Sequence, residues 1–495
     1  MAGVETGRIT TDIPARLDRL PWSRWHWLVV VGLGAVWILD GLEVTIVGSM
    51  SAALEPEGTG LGLDAFDVGL AGAIYVAGAV SGALFFGHLT DRFGRKKLFL
   101  ITLTVYLVGT VATAFAMNPL WYFVTRFITG AGVGGEYAAI NSAIDELIPA
   151  KYRGRIALAI NGSFWVGAAA GSLITVPLLN PELVPAEFGW RFAFGLGAIM
   201  GLGILLVRRY VPESPRWLFI HGREDDGERI VRDIEGRIAD EIGNRLPDVS
   251  ETITIRQRKS IGFATIARTV FTLYPKRTIL CLSLFIGQAF LYNAFFFTYG
   301  DTLITFMGVS QTGYFIAIFA VSNFLGAVLL GPLFDTVGRV AMISGTYILS
   351  GVLLAFTGFT LGSYSAVTLT AMGAVIFFFA SAGASAAYLT ASEVFPMETR
   401  ALCIAFFYAV GTAAGGIAGP LYFGALIEAA TASVDITQIA NGYYVGAALM
   451  IAGGIVAIFL GVKAEQQPLE SIAQPLTVVD AETGGEGRPK EPAPA

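Results

Sequence analysis

Twelve stretches of about 20 apolar residues dominate this chain, at approximately 26–50, 66–88, 98–117, 119–148, 154–179, 190–210, 276–303, 310–334, 340–361, 365–390, 400–428 and 440–463. Each is close to the length a helix needs to cross about 30 Å of hydrocarbon. Inside hydrocarbon the backbone must satisfy its own polar groups, and an apolar run of this length does so as a helix. Composition agrees: 54% hydrophobic against 14% charged residues, with a mean hydropathy of +0.65, lies outside the range of soluble domains. The fold class expected is therefore an all-α membrane protein. The first block is too long for a signal-peptide core and is expected to be retained as a span. The 60 glycines are scattered through the blocks, as suits helices that approach closely in lipid.

Basic residues alternate between the connections. Arg92, Arg95, Lys96 and Lys97 follow the second block, Lys151, Arg153 and Arg155 follow the fourth, a charged segment follows the sixth, and Arg339 and Arg400 flank later blocks, whereas Arg191 stands on the other side. The positive-inside rule then makes both termini cytoplasmic, in a multi-pass protein of the cell membrane. The net charge of −6 adds little, and no nucleic-acid partner is expected. Cys281 and Cys403 lie in apolar blocks and make no disulfide framework. His26, His88 and His221 lie near block ends, so no metal site and no cofactor are expected. Without a nucleophile or metal cluster the chain does not read as an enzyme.

The two halves repeat. "GHLTDRFGRK" closes the second block and "GPLFDTVGRV" the eighth, so Asp91, Gly94 and Arg95 recur at Asp335, Gly338 and Arg339, 244 residues on. Glu146, Pro149 and Arg153 recur at Glu393, Pro396 and Arg400, 247 residues on. Two matches at nearly one offset give six plus six helices. The organisation expected is a cytoplasmic N-terminal segment (1–25), a six-helix bundle (26–210), a cytoplasmic linker with short amphipathic helices (211–275), a second six-helix bundle (276–463) and a disordered cytoplasmic tail (464–495).

"GHLTDRFGRKK" with its copy at 331–340, "VPESPRWL" at 211–218 and "SEVFPMETRA" at 392–401 resemble the signatures of the major facilitator superfamily, in its sugar-porter-like branch, and the resemblance covers about 26–463. Glycine in "DRFGR" allows a sharp turn between helices. Asp91, Arg95, Glu146 and Arg153 can pair across helix ends, and Asp335, Arg339, Glu393, Arg400 and Arg216 do the same in the second half. Such pairs would close a cytoplasmic gate in one state and part in another. The resemblance implies alternating access by two bundles rocking about a central site.

Four ionisable residues lie at membrane depth in the first half: Asp40 and Glu43 in "ILDGLEVTIVG", and Arg126 and Glu136 in the fourth block. Each costs roughly 2.5–3.5 kcal/mol to insert and so faces a cavity or a partner. From helical rise, Glu43 and Arg126 both sit about 10 Å below the outer ends of their helices and can meet. Asp40 is one turn deeper on the face of Glu43. Glu136 lies about 15 Å further along its helix than Arg126 and about 80° off its face, which makes it a separate proton-carrier candidate. "GVGGEY" resembles the string of proton-coupled phosphate and metabolite symporters of the same superfamily, and "DGLE" that of aromatic-acid/proton symporters. By that resemblance Glu43–Arg126 is the coupling switch, with Asp40 an alternative to Glu43.

For the solute, "IGQAFLYNAFFFTY" keeps Gln288 and Asn293 of the sugar-porter pattern but loses a glutamine and a glycine, and "SAGASAAYLTA" replaces the usual aromatic string of block ten. The cavity expected contains Arg126, Asn161, Trp165, Gln288, Tyr292, Asn293, Tyr299 and Tyr388, which suits a small organic or aromatic acid better than a sugar or polyol. The function expected is proton-coupled uptake by a monomer in the lipid bilayer. The alternatives are a facilitator, a proton-driven exporter, or a non-transporting solute sensor.

Overall fold

A computed structural model describes residues 6–54, 60–63, 65–208, 212–257, 267–309 and 312–476. Twelve long helices follow one another: α1 (Arg24–Ser49), α2 (Ala65–Phe93), α3 (Arg95–Ala114), α4 (Pro119–Leu147), α5 in two pieces (Arg153–Gly162 and Phe164–Leu178), α6 (Ala186–Arg208), α7 (Pro275–Met307), α8 (Gly313–Thr336), α9 (Arg339–Thr360), α10 (Ala366–Glu393), α11 (Arg400–Ser433) and α12 (Ala440–Leu460). Among the described residues ten of these are long and apolar enough to cross a bilayer. The other two, α4 and α7, have 29 and 33 residues and ample length; α4 carries the charged side chains Arg126 and Glu136 within its span.

Within the first bundle α1 packs on α5, α2 on α4, and α3 on α4 and α6; within the second α7 packs on α11 and α12, α8 on α10, and α9 on α12. The bundles meet along two main seams, α2 against α11 and α5 against α8. Glycine sets the closest approaches: a Cβ on Gly41 of α1 would run into the Phe164 carbonyl, and one on Gly167 of α5 into the Ile38 carbonyl. Large apolar side chains such as Phe85, Val108, Leu120, Phe359 and Phe459 point outward, where lipid replaces water.

The repeat shows in backbone detail. Gly94 and Gly338 turn the chain between α2 and α3 and between α8 and α9 with φ of 97° and 115°, a region that favours glycine. A glutamate then accepts from the first N–H groups of each following helix: Glu213 from Arg95 (2.9 Å) and Lys96 (3.2 Å), and Glu465 from Arg339 (3.3 Å).

Among the described residues, the segment between the bundles includes the α-helices Pro215–Ile220 and Glu224–Ile242; the second buries Val231, Ile234 and Ile238 on one stripe and turns its charges outward. Unlike the all-helical expectation, Ile253–Gln257 forms a strand paired antiparallel with Thr6–Thr11, two segments rich in β-branched residues. The N-terminal segment is thus strapped to the cytoplasmic helix, where Arg16 pairs with Glu228 (2.8 Å) and Glu235 (2.6 Å), and Arg19 also reaches Glu235. The tail differs from expectation as well. Residues 464–476 are ordered, with Leu469, Ile472 and Ala473 buried, because their apolar side chains find cover under the cytoplasmic ends of both bundles. The remainder of the expected tail, 477–495, lies outside the described residues.

Candidate functional site

A central cavity of about 160 Å³ lies between the bundles. Its walls come from α1 (Trp37), α2 (Tyr75), α4 (Tyr137), α5 (Asn161, Phe164, Trp165), α7 (Gln288, Tyr292), α8 (Asn323), α10 (Ser381, Ser385, Tyr388) and α11 (Tyr408, Thr412), among others. The aromatic rings support one another. Trp37 stacks on Tyr137 at 4.6 Å and 8°, Tyr137 meets Tyr408 edge-on at 4.7 Å, and Trp165 meets Tyr292 edge-on at 5.6 Å. A cavity of this size matches the roughly 150 Å³ that holds one benzene ring in an apolar core.

Of the expected ligand-binding residues, the structure brings Asn161, Trp165, Gln288, Tyr292 and Tyr388 to this cavity. The side chain of Asn293 lies outside the described residues. Tyr299 does not line the cavity: its hydroxyl bonds to Thr370 and its ring stacks on Phe319. Arg126 also stands back from the cavity, with Glu43 as its partner. Arg126 Nη2 lies 2.7 Å from Glu43 Oε1, Thr110 donates to Glu43 Oε2 at 2.9 Å, and both members of the pair are at most 2% exposed. The guanidinium sits 4.9 Å from the Phe194 ring and 5.6 Å from that of Tyr75, so the Tyr75 side chain separates this ion pair from the cavity. Asp40, one turn before Glu43, is fully buried, and its carboxylate oxygens make no hydrogen bond among the described residues. Glu136 is fully buried just before Tyr137, on a stretch of α4 where Gly132 packs on Tyr106 and Gly135 on Thr102 and Phe86.

Below the cavity a charged layer joins the cytoplasmic helix ends. Arg95 pairs with Glu146 in the first bundle, and Arg339 holds Glu393 through two 3.0 Å bonds and Asp335 at 3.1 Å in the second. Other contacts cross between bundles. Asp335 accepts from the backbone N–H of Gly154 and of Arg155, both at 3.0 Å, and from Arg155 Nε at 2.9 Å. Arg400 lies 3.7 Å from Asp145 and 3.9 Å from Glu146, and Arg153 lies 4.0 Å from Glu393. Arg216 joins different partners from those of its expected group, Glu470 at 3.2 Å and Asp18 at 3.7 Å. The side chain of Asp91 lies outside the described residues. Apart from Arg155, Asp18 and Glu470, which are part-exposed, these described side chains are buried together.

Sequence reasoning missed Trp37, Tyr75, Tyr137 and Tyr408, because an aromatic ring in an apolar span gives no sign of the direction it faces. It missed Asn323 despite a usable signal, an amide alone in "FAVSNFLGAVLLG". In the charged layer it missed Asp18, Asp145, Arg155, Glu465 and Glu470; Asp145 adjoins Glu146, and Arg155 lies within the same basic cluster as Arg153.

Residues 44–476 match the family described as "Sugar (and other) transporter". The niacin transporter NiaP of Acinetobacter baylyi is 28% identical over 465 residues, which cover 93% of this chain and 99% of that protein. The 4-hydroxybenzoate transporter PcaK of Pseudomonas putida is 26% identical over 458 residues, covering 90% and 95%. Among solved structures, the E. coli proton:xylose symporter XylE superposes with a TM-score of 0.72 at 17% identity, covering 91% of this chain and 98% of that one, a likeness of fold.

Proposed function

The chain belongs to the family of sugar and other transporters within the major facilitator superfamily, and on that premise we propose that it takes up a small single-ring organic acid together with protons. The observation that carries this reading is the cavity: aromatic on most sides, of one-ring volume, and placed at the seam between the bundles. Relatives named for niacin and 4-hydroxybenzoate support the solute class.

The cycle proposed is alternating access. The charged layer around Asp335, Arg339, Glu393 and Arg400 closes the cytoplasmic side, and its cross-bundle contacts part when the bundles rock. Glu43–Arg126 is the proposed coupling pair. A buried ion pair that loses one charge leaves the other uncompensated, which costs about 3–5 kcal/mol. Protonation of Glu43 therefore forces Arg126 and the neighbouring Tyr75 wall to rearrange. Asp40 and Glu136 are the further proton-carrying candidates on the same two helices.

The test is uptake of radiolabelled benzoate, 4-hydroxybenzoate and nicotinate into proteoliposomes under an imposed pH gradient, acid outside. Accumulation that collapses with a protonophore is expected, and Glu43→Gln should lower the accumulation ratio reached at a given pH gradient while counterflow persists. Counterflow without accumulation by the parent protein would instead identify a facilitator.

A further inference from the structure

Two amides of the cavity wall each carry an acceptor oxygen with no partner among the described residues, a feature that the proposed function leaves unused. Asn323 is fully buried; its Nδ2 donates to the Phe319 carbonyl at 2.9 Å, and its Oδ1 receives no hydrogen bond from the described residues. Asn161 is built the same way. Its Nδ2 donates to the Ala157 carbonyl at 2.9 Å and to Asn141 Oδ1 at 3.1 Å, and its Oδ1 receives nothing from the described residues. Asn141 is pinned in turn, its Nδ2 donating to the Tyr137 carbonyl at 3.0 Å. Flipping any of these amides would set oxygen against a backbone carbonyl, so the local helix dictates each orientation. The result is two buried, unpartnered acceptor oxygens, on α5 and α8, each belonging to a residue that lines the cavity. Ser381, also in that wall, carries a hydroxyl that is buried and makes no hydrogen bond among the described residues.

Charge is missing from the same wall: among the described residues that line the cavity there is no Lys, Arg, His, Asp or Glu. The positive charge of Arg126 lies behind Tyr75 and is taken up by Glu43. A carboxylate in this cavity would shed its hydration and find no counter-charge among the described lining residues; neutral donors such as the Tyr75 and Ser381 hydroxyls replace only part of that hydration, and the two amide oxygens repel it. A group with an N–H or O–H to offer would satisfy the same oxygens.

We infer that the cavity binds its ring ligand in an uncharged, donor-bearing form, with the Oδ1 atoms of Asn161 and Asn323 accepting the donor. A ring carboxylic acid that keeps its proton, a ring carboxamide and a phenol all share that chemistry. The inference rests on the proposed transport of small ring acids and adds the protonation state that is carried. The acid's O–H bond stays intact in the cavity, and the proton leaves only when the acid is released on the other side. A carboxamide of the same shape crosses with no proton of its own.

The test uses the full-length chain in nanodiscs and calorimetric binding of isosteric pairs, benzoate with benzamide and 4-hydroxybenzoate with 4-hydroxybenzamide, from pH 5 to 8. Amide affinity should stay level across this range. Acid affinity should fall about tenfold per pH unit above the acid's own pKa, near 4 as for other carboxyl groups. A protein group that controlled binding would instead move both members of a pair together. Asn323→Leu and Asn161→Leu should each weaken benzamide about tenfold and leave methyl benzoate, a ring without a donor, within about twofold. Acids that bind as well at pH 8 as at pH 5, or leucine variants that weaken benzamide and methyl benzoate equally, would overturn the inference while leaving ring-acid transport standing. If no member of either pair binds a cooperatively melting protein, the ring-acid reading falls and this inference falls with it.

Discussion

Asp335 is the side chain whose loss should most directly open the cytoplasmic side. Its buried carboxylate takes four donors, and three of them, the Gly154 and Arg155 N–H groups and Arg155 Nε, come from the opposite bundle. Asp335→Asn keeps one acceptor oxygen but turns the other into an NH₂ group facing the two Arg155 donors. Each charge-assisted bond is worth about 1.5–3 kcal/mol. The Arg155 side chain is 34% exposed, so its share is discounted for solvent screening, leaving a combined loss of about 2–3 kcal/mol. Only contacts made in the closed state and broken in the open one shift the balance between them. The bonds within the second bundle, from Arg339 to Glu393, therefore do not enter. A loss of this size moves a two-state equilibrium about 30–150-fold, enough to bring a 99:1 preference for closure close to parity. Spin labels at Lys97→Cys and Val337→Cys, exposed sites at the cytoplasmic ends of the two bundles, report the separation by pulsed dipolar spectroscopy. The native Cys281 and Cys403 are buried and label poorly. A longer-distance population comparable to the short one is expected in Asp335→Asn. An unchanged distribution in a variant that still melts cooperatively would refute the assignment of Asp335 as a cross-bundle clamp.

Three further outcomes are expected. Trp37→Ala should weaken benzoate binding at pH 5 about tenfold by calorimetry, because the ring stacked on Tyr137 is a cavity wall, whereas Trp37→Phe should stay within about threefold. Gly41→Ala should lower the melting temperature in detergent, since its Cβ has no space beside the Phe164 carbonyl and the α1–α5 contact must spread at a cost of about 1–3 kcal/mol; an unchanged melt would show that this seam yields freely. Glu235 is held below the usual carboxylate range: burial favours its neutral form, but the hydrogen bonds and charges of Arg16 and Arg19 outweigh that. Since the folded-state value is depressed, the stabilisation is present above the ordinary carboxylate pKa and is lost as pH falls through the lowered value. Protection factors from hydrogen exchange at residues 6–23 should therefore stay high at pH 5 and fall below about pH 4, and Glu235→Gln should lower them already at pH 7.

The twelve helices were legible because the period and length of apolar blocks are properties of single segments. The repeat was legible because Gly94 and Gly338 sit in strings that share an aspartate three residues before the glycine and an arginine just after it. What single segments do not encode was missed. The pairing of Thr6–Thr11 with Ile253–Gln257 joins strands that have nothing between them in sequence to signal a hairpin. The order of residues 464–476 depends on apolar cover and on partners supplied from far away in the chain, such as Arg153, which donates to the Gln467 carbonyl at 3.1 Å. The charged layer was readable as a set of residues but not as a set of bonds. Its cross-bundle contacts, Asp335 to Gly154 and Arg155 and Arg400 to Asp145, depend on how the two repeats face one another.

At the cavity the gap between sequence and chemistry is narrower and more informative. Asn161 was nameable from its place in block five, yet the name alone leaves its hydrogen-bonding sense open, since an amide offers donors on one side and an acceptor on the other. The carbonyl four residues earlier settles that sense by engaging Nδ2, and the same device acts on Asn323. Arg126 presents the converse case. Its presence at membrane depth suggested an anion ligand, but a charge speaks to a cavity only where nothing nearer cancels it, and Glu43 lies 2.7 Å away with Tyr75 between the pair and the cavity. The cavity that sequence reads as an anion site is therefore lined, among the described residues, by uncharged rings, amides and hydroxyls. A proton on the solute and a proton on Glu43 then become separable contributions to coupling, which a carboxamide, having no acid proton to carry, distinguishes from its acid.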